Sequence, residues 1–269
     1  YMYYEGTIFE KDWQKARELF EKASEQGKDW AQFYLGLMYS KSNSPEDRRK
    51  SMEYYQKAAK VGFDKAQFNL GRIYSLNTIQ MDLKPFERKE KAKKYFLESA
   101  SKSNSLSYYE LGKLALSDKD YFLAKKYFEQ GSEFDNPRCQ YQLSIMYHKG
   151  LLFTKDQEER NELANKYFRL AKCHSNDQFV QFDIGLAYLN GYFIEKNLKK
   201  AYQYFVKSGN ENHSMAIFCL GMMYLKGIND PDHLFVLQPN RENAKKLIKY
   251  AADLGIDNAL YQLSILELE

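Results

Sequence analysis

The side chains that could carry out chemistry are few in this sequence, and their spacing does not join them into a site. The histidines His148, His174, His213 and His233 are scattered, with no second ligand at helical spacing, so we interpret them as ordinary surface or loop residues. The sequence contains no nucleotide loop of the G-x-x-x-x-G-K type and no G-x-S-x-G or H-E-x-x-H motif. We therefore predict no enzyme, no catalytic residue, no metal site, no cofactor and no small-molecule substrate.

The three cysteines are odd in number and lack the C-x-x-C spacing of a redox or zinc site. Cys139 occupies a repeat position that elsewhere holds alanine, so we expect it to be a small buried side chain. Unpaired cysteines favour a reducing compartment such as the cytoplasm. The ER lumen, the periplasm or secretion would require a signal peptide ahead of this segment, and Tyr1–Tyr4 show no basic run followed by an apolar one.

Composition limits the partners of the chain. Hydrophobic residues make up 44% of its 269 residues and charged residues 28%, as in a folded globular protein. A net charge of +4, from 40 basic and 36 acidic residues, is too small to indicate nucleic acid or membrane. Lysine pairs such as Lys125-Lys126 and Lys199-Lys200 stand among acids and are interpreted as a solvated outer face, not a nucleic-acid site. No apolar run approaches the ~18 residues that span a bilayer, so we expect no direct membrane insertion.

The elements that position these side chains repeat along the chain. The stretch Leu220-Gly221…Tyr224, a large apolar residue, a very small one and an aromatic three further on, recurs in complete or weaker form. The small residue falls at positions 36, 71, 112, 144, 185, 221 and 264, in steps of 35, 41, 32, 41, 36 and 43. Self-similarity at a period of roughly 20–50 residues is typical of a solenoid.

Each repeat contains two amphipathic helical patterns, which we name helix A and helix B. Helix A carries the Leu-Gly pair within an i, i+4, i+8 stripe, and its glycine predicts a place where two helix backbones approach closely, because glycine in mid-helix costs ~1 kcal/mol. Helix B carries a small residue, then an aromatic pair at plus three and plus four, as in Ala201…Tyr204-Phe205. Insertions fall only in the A-to-B connections, and the longest are 76–89, 150–159 and 227–240.

Residues at the ends of helix B agree with this assignment. Asp and Asn cap free N–H groups where a helix starts, and we predict such caps at Asp12, Asp47, Asp120, Asn197 and Asn240. Gly, Asn and similar residues suit the left-handed stop of a helix. We predict that stop at Gly27, Gly62, Ser103, Asp135, Ser175, Asn212 and Gly255.

The repeat resembles the Sel-1-like repeat, a relative of the tetratricopeptide repeat. The fullest matches are Ala216…Gly227, Asp12-x-x-Lys15-Ala16 and Lys57-Ala58-Ala59…Gly62. The chain departs from the family pattern where Ser42 and Asn77 replace the glycine after helix A, and where Ala115 replaces the aromatic. The resemblance implies an all-α fold, a right-handed α/α solenoid or superhelix of stacked helix-turn-helix repeats, with about seven units and incomplete units at both ends.

We assign residues 1–269 to a single solenoid domain that is a fragment of a longer chain. Tyr3…Gly6 matches the end of a helix A, and the last residues match another helix A without its helix B. The expected units are approximately 1–30, 31–65, 66–106, 107–138, 139–179, 180–215, 216–258 and 259–269.

The candidate binding residues stand on helix A, two positions before and two positions after the large apolar residue that precedes the small one in each repeat. The ring positions, two before, are Phe33, Phe68, Tyr109, Tyr141, Phe182, Phe218 and Tyr261. The face positions, two after, are Leu37, Arg72, Lys113, Ile145, Leu186, Met222 and Ile265. Each pair is spaced i, i+4 and projects from one face of its helix. Either this face lines a concave groove that binds a peptide, by analogy with tetratricopeptide arrays, or the rings fill the core between helices.

The sequence predicts an interaction scaffold that binds a partner protein or peptide on the helix A face and the long A-to-B connections. The resemblance implies adaptor roles, as in ER-associated degradation or chitin synthase activation, or bacterial secreted or envelope proteins that act on host or cell-wall partners. Two other classes stay open: the regulatory part of an enzyme whose catalytic part lies elsewhere, and self-association through the apolar C-terminal helix.

Overall fold

The computed structural model describes residues 12–42, 44–79, 81–173 and 176–268, which contain fourteen α-helices. The chain divides into two compact units, Tyr1–Phe134 and Asp135–Glu269. The helices of the first unit are α1 Trp13–Glu25, α2 Asp29–Ser40, α3 Pro45–Lys60, α4 Asp64–Leu76, α5 Pro85–Ala100, α6 Ser105–Ser117 and α7 Tyr121–Glu133. The elements of the second unit are α8 Pro137–His148, α9 Gln157–Cys173, α10 Gln178–Asn190, α11 Leu198–Asn210, α12 Ser214–Lys226, β1 Ile228–Asp230, β2 Phe235–Leu237, α13 Arg241–Asp253 and α14 Asp257–Leu268.

The helices alternate as the repeat predicts: the odd-numbered ones are helix B and the even-numbered ones helix A. The A helices α2 to α12 each pack chiefly against the helix B that follows, and within each compact unit helix B packs against the next helix A. The all-α solenoid expected from the sequence is confirmed. The partial helix A expected at residues 1–11 lies outside the described residues, and the single-domain assignment stays a prediction.

An aromatic ring of helix B lies against the glycine of helix A in four repeats. A Cβ atom added to Gly36 would stand 2.6 Å from Cδ1 of Tyr55, and one added to Gly71 would stand 2.5 Å from Cε1 of Phe96. Phe128 and Phe205 occupy the same place against Gly112 and Gly185. The expectation of two closely approaching backbones is therefore wrong at these positions, because a ring fills the space. At Gly221 of α12, by contrast, backbone atoms come close to the added atom, the nitrogen of Ile248 at 3.3 Å among them.

The other aromatic residues of each repeat stack on one another. The tyrosine at the end of helix A lies parallel to the first ring of the helix B pair, with centroids 5.7 to 5.8 Å apart, in Tyr39–Tyr54, Tyr74–Tyr95, Tyr147–Tyr167 and Tyr188–Tyr204. Offset-stacked rings contribute ~0.5–1.5 kcal/mol beyond their burial. The repeat at residues 107–138 lacks this stack, because Ala115 stands at the tyrosine position.

The predicted start of helix B is confirmed at four positions and wrong at one. The side chains of Asp12, Asp120, Asn197 and Asn240 each accept a hydrogen bond from the backbone N–H three residues on. At α3 the cap is Ser44 instead, which accepts from the N–H of Asp47. Pro45 explains the earlier start, since proline suits the first helical position and extends α3 by one turn toward the N-terminus.

The predicted stops of helix B are confirmed wherever the structure describes them. Gly27, Gly62 and Gly255 have φ between 75° and 87°, and the non-glycine stops Ser103, Asp135 and Asn212 have φ between 53° and 65°. Ser175 lies outside the described residues. Cys139 is fully buried, as its alanine-like position predicts.

The last long connection contains a β-hairpin that the sequence patterns did not reveal. Strands β1 and β2 pair antiparallel, with Asn229 opposite Val236. Asp230 joins the hairpin to α11, because its Oδ2 accepts from the backbone N–H of Leu198 at 2.9 Å. Strands of three residues carry too little alternation to be recognised in a sequence.

We predict that Gly185→Ala destabilises the protein, whereas Gly209→Ala does not. The added methyl group at position 185 would stand 2.6 Å from Phe205 Cε1, but at position 209 it would lie at ordinary contact, 3.4 Å from Ile217 and Leu220. Overpacking costs ~1–3 kcal/mol and the helix propensity of alanine returns ~1 kcal/mol, so we expect a net loss of up to ~2 kcal/mol at position 185 only. Urea unfolding of both variants tests this, and equal stabilities would contradict the packing of Phe205 on Gly185.

We also predict that Asp120→Ala lowers the free energy of unfolding by ~1 kcal/mol, because the Asp120 carboxylate accepts from Leu123 N–H at 2.9 Å. The matched variant Asp47→Ala should cost less than half of that amount, since Ser44 caps α3 and Asp47 keeps only its favourable position near the helix N-terminus. Thermal unfolding followed by circular dichroism measures both changes. A larger loss for Asp47→Ala would restore Asp47 as the cap.

Candidate partner-binding surface

The ring positions pack inside their own repeats. Five of them contact the second aromatic of the following helix B, with centroids 5.7 to 6.3 Å apart: Phe33–Tyr55, Phe68–Phe96, Tyr109–Phe128, Tyr141–Phe168 and Phe182–Phe205. Phe218 packs against the cluster around Ile248. Tyr261 differs, because 65% of it is exposed. Of the two readings of these rings, the contacts favour packing between helix A and helix B.

Tyr141 also joins two successive A helices. Its hydroxyl donates to the backbone carbonyl of Asp183 at 3.1 Å, and burial raises the pKa of Tyr141 well above its usual range. Beside it, Arg138 donates to Asp177, the N-cap of α10, at 2.8 Å. These bonds hold α8 against α10, which makes this polar cluster a structural one.

Asp183 of α10 is a weaker acid than an ordinary aspartate. Burial and the nearby Asp177 carboxylate raise the pKa of Asp183 to about 7, against the opposing effect of Arg138. A carboxyl group of this kind is a common feature of catalytic sites. No group of three or more histidine, cysteine, aspartate or glutamate side chains that could hold a metal occurs in the described parts of the chain.

His213 is a helix cap that the sequence analysis missed. Its Nδ1 accepts from the N–H of Ala216 at 3.2 Å, and its ring stacks on Phe182 with centroids 4.6 Å apart. Burial lowers the pKa of His213, in keeping with the neutral ring that an accepting nitrogen requires. The sequence signal for this cap was the place of His213 directly after Asn212, the stop of helix B, because the next helix A starts at Ser214.

The face positions are more accessible than the rings beside them in the four repeats of Leu37, Arg72, Lys113 and Ile145. Leu37, Ile145, Leu186, Met222 and Ile265 are half-buried, while Arg72 and Lys113 are exposed. Lys113 pairs with Glu110 at 3.0 Å and lies over the ring of Tyr109. The described residues provide no such carboxylate for Arg72.

The structure brings several predicted residues together within each compact unit. In the first unit, Leu37 of α2 and Arg72 of α4 line one cavity of about 470 Å³, which reaches the A-to-B connection at Thr78 and Ile79. In the second unit, Ile145, Phe182 and Leu186 pack against one hydrophobic cluster. Met222 joins Phe218 in a separate cluster, so the predicted set forms several local patches.

The long A-to-B connections expose apolar side chains at the same ends of their repeats. Phe153 is 98% exposed, and Leu234 of the hairpin is 90% exposed. Exposed apolar side chains of this size are available to contact a partner. In the described ranges, no helix is both long enough and apolar enough to cross a membrane.

Comparison with known proteins agrees with this geometry. A sequence profile of the Sel1 repeat matches the chain seven times, over residues 1–28, 31–63, 64–104, 105–133, 137–176, 179–213 and 214–256. No curated protein sequence matches the chain.

Several solved structures are similar to this one. A protective antigen present in uropathogenic Escherichia coli strains, which displays an SLR fold, shares 25% identity over 99% of this chain and 54% of its own, with a TM-score of 0.59. The chain thus spans about half the length of that antigen. A Sel1 repeat protein from Oxalobacter formigenes shares 24% identity over 98% of this chain and 74% of its own, with a TM-score of 0.61. An immunity protein from Pseudomonas aeruginosa shares 19% identity over 84% and 81%, with a TM-score of 0.60.

Sel1 repeats form a non-catalytic scaffold family, and its members generally act in protein–protein interaction. The two-helix unit, the glycine against a helix B ring and the seven profile matches across nearly the whole sequence all agree. The chain belongs to the Sel1 repeat family.

Proposed function

We propose that this chain is an interaction scaffold that binds a segment of a partner protein along its helix A face. The face positions and the A-to-B connections would supply the contacts, while the ring positions hold each helix A in place. The observation that supports this most directly is the cavity between α2 and α4, since Leu37 and Arg72, equivalent residues of successive repeats, both line it.

The packing of the rings supports the assignment of recognition to the face positions. Phe33 is only 8% exposed and lies among Tyr34, Tyr55 and Phe63, so it has little surface left for a partner. Leu37, one turn further along α2, is half-buried and adjoins the cavity. Burial of such a side chain against a partner contributes ~1.5–3 kcal/mol when it is complete.

The proposal predicts that polar substitutions on the helix A face weaken binding. Peptides that bind the chain would be selected from a phage library of random twelve-residue peptides, and their affinities measured by fluorescence polarisation. We expect Leu37→Gln or Leu186→Gln to lower the affinity of selected peptides about tenfold, because each removes apolar surface from the face.

Leu19→Gln and Leu97→Gln are the matched controls. Both residues lie on helix B, where they are 45% and 42% exposed, and we expect these variants to bind as the parent chain does. Circular dichroism establishes that all four variants are folded. If neither face variant alters the binding of any selected peptide, the helix A face is not the binding surface.

Self-association is a second candidate, and it rests on α14. Leu260 and Tyr261 are 54% and 65% exposed on this helix, whereas Leu266 is buried against the cluster around Ile217. A second copy of the chain would cover the exposed pair. Light scattering of Leu260→Ser plus Tyr261→Ser tests this: a concentration-dependent mass in the parent chain should disappear in the variant, and a monomeric parent would refute the candidate.

A further inference from the structure

The cavity of the first compact unit adjoins a second one and shares lining residues with it. The first lies between α2, α3 and α4, and the second, of about 340 Å³, lies at the start of α3. Arg48, Thr78 and Ile79 line both. Ile79 is buried, which holds the A-to-B connection against the cavity. We name this joined surface the arginine cavity.

The described lining of the arginine cavity is positively charged. Arg48 and Arg72 line its larger part and Arg49 lines its smaller part, and no aspartate or glutamate among the described residues lines either part. None of these three arginines forms an ion pair within residues 12–42, 44–79, 81–173 and 176–268.

Several lysines of helix B behave differently from these arginines. Lys50 pairs with Glu46 at 3.0 Å, Lys125 pairs with Glu129 at 2.9 Å, and Lys246 pairs with Glu242 one turn away. Exposed pairs of this kind contribute little to stability, but in each of them a glutamate carboxylate balances the charge of the lysine. The arginines of the cavity keep their donors available.

Hydrogen bonds inside the cavity show which groups can donate to a ligand. The hydroxyl of Ser40 donates to the carbonyl of Leu37 at 2.8 Å, and that of Ser51 donates to the carbonyl of Gly36 at 2.7 Å. Both hydroxyl protons are therefore engaged in hydrogen bonds within the protein. The guanidinium groups are the charged donors of the described lining, beside the neutral side chains of Ser42, Asn69 and Thr78, and their forked geometry matches a carboxylate.

Apolar side chains line the cavity beside the polar residues Ser42, Asn69 and Thr78. Leu37 and Ile73 are half-buried, and Leu76 is 58% exposed. A free inorganic anion would leave this surface uncovered, whereas a peptide covers it with a side chain next to its carboxylate. Tyr55 is only 2% exposed, so the cavity offers no open ring of the kind on which single-stranded nucleic acid stacks.

We propose that the arginine cavity binds an acidic segment of a partner protein, with an aspartate or glutamate carboxylate on Arg48 and Arg72 and a neighbouring apolar side chain on Leu37, Ile73 and Leu76. This inference rests on the proposed scaffold function and names the chemistry of the partner. Cavities of ~300–1,000 Å³ enclose ligands of drug size, so the site takes a few residues of the segment.

The test uses the full chain and the same random peptide library. We expect selected peptides to be enriched in aspartate or glutamate beside leucine, isoleucine or phenylalanine, and to bind more weakly as salt rises. Arg48→Gln plus Arg72→Gln should weaken these peptides about tenfold or more, since two charge-assisted contacts are lost. The control, Lys60→Gln plus Lys126→Gln, removes the same charge from exposed helix B positions of the same unit and should leave binding unchanged.

Each other outcome overturns the inference in a recognisable way. Selected peptides that lose affinity in Leu37→Gln but not in the arginine variant would refute the acidic partner and leave the scaffold function in place. Binding of a twenty-nucleotide single-stranded DNA that the arginine variant abolishes, with no acidic enrichment among peptides, would assign the cavity to phosphate. A library that yields no binding peptide would refute both the inference and the scaffold function.

Discussion

The contact between a helix B ring and a helix A glycine is the interaction on which four of the repeats depend. Phe96 and Phe205 are fully buried, and their rings occupy the space that a side chain at Gly71 or Gly185 would need. This contact sets the distance between the two helices, because interiors pack at close to crystal density. Glycine in mid-helix costs ~1 kcal/mol relative to alanine. Burial of a whole aromatic side chain contributes ~1.5–3 kcal/mol and offsets this cost.

Other contacts of the repeat follow from this placement. Once the second ring of helix B lies on the glycine, the first ring faces the tyrosine one turn along helix A, as in Tyr188–Tyr204. Lysine side chains lie over these stacks, with Lys200 5.3 Å from the centroid of Tyr188. The ring position closes the other side of the contact, as Phe182 does against Phe205. A repeat therefore uses nearly all of its aromatic residues for its own stability.

The differences between repeats are then available for recognition. In the first compact unit, the face positions change from Leu37 to Arg72 to Lys113, and a cavity forms where the connection after α4 adds Thr78 and Ile79. In the second unit the face positions are apolar, and the last long connection folds into a hairpin that Asp230 fastens to α11. A shared scaffold with unlike faces suits a family that acts in protein–protein interaction, since specificity requires features that are not repeated.

The sequence by itself determined the two-helix repeat, its small-residue and aromatic positions, and the residues that end its helices, because these depend on local periodicity and backbone chemistry. One of its errors was also local in origin: at Asp47 it overlooked the earlier start that Ser44 and Pro45 allow. Tertiary structure alone decided that a ring, not a backbone, faces Gly71, and that His213 caps α12 on the ring of Phe182. It alone placed Arg48, Arg72 and Leu37 around one cavity, since residues from three helices meet only when the helices pack.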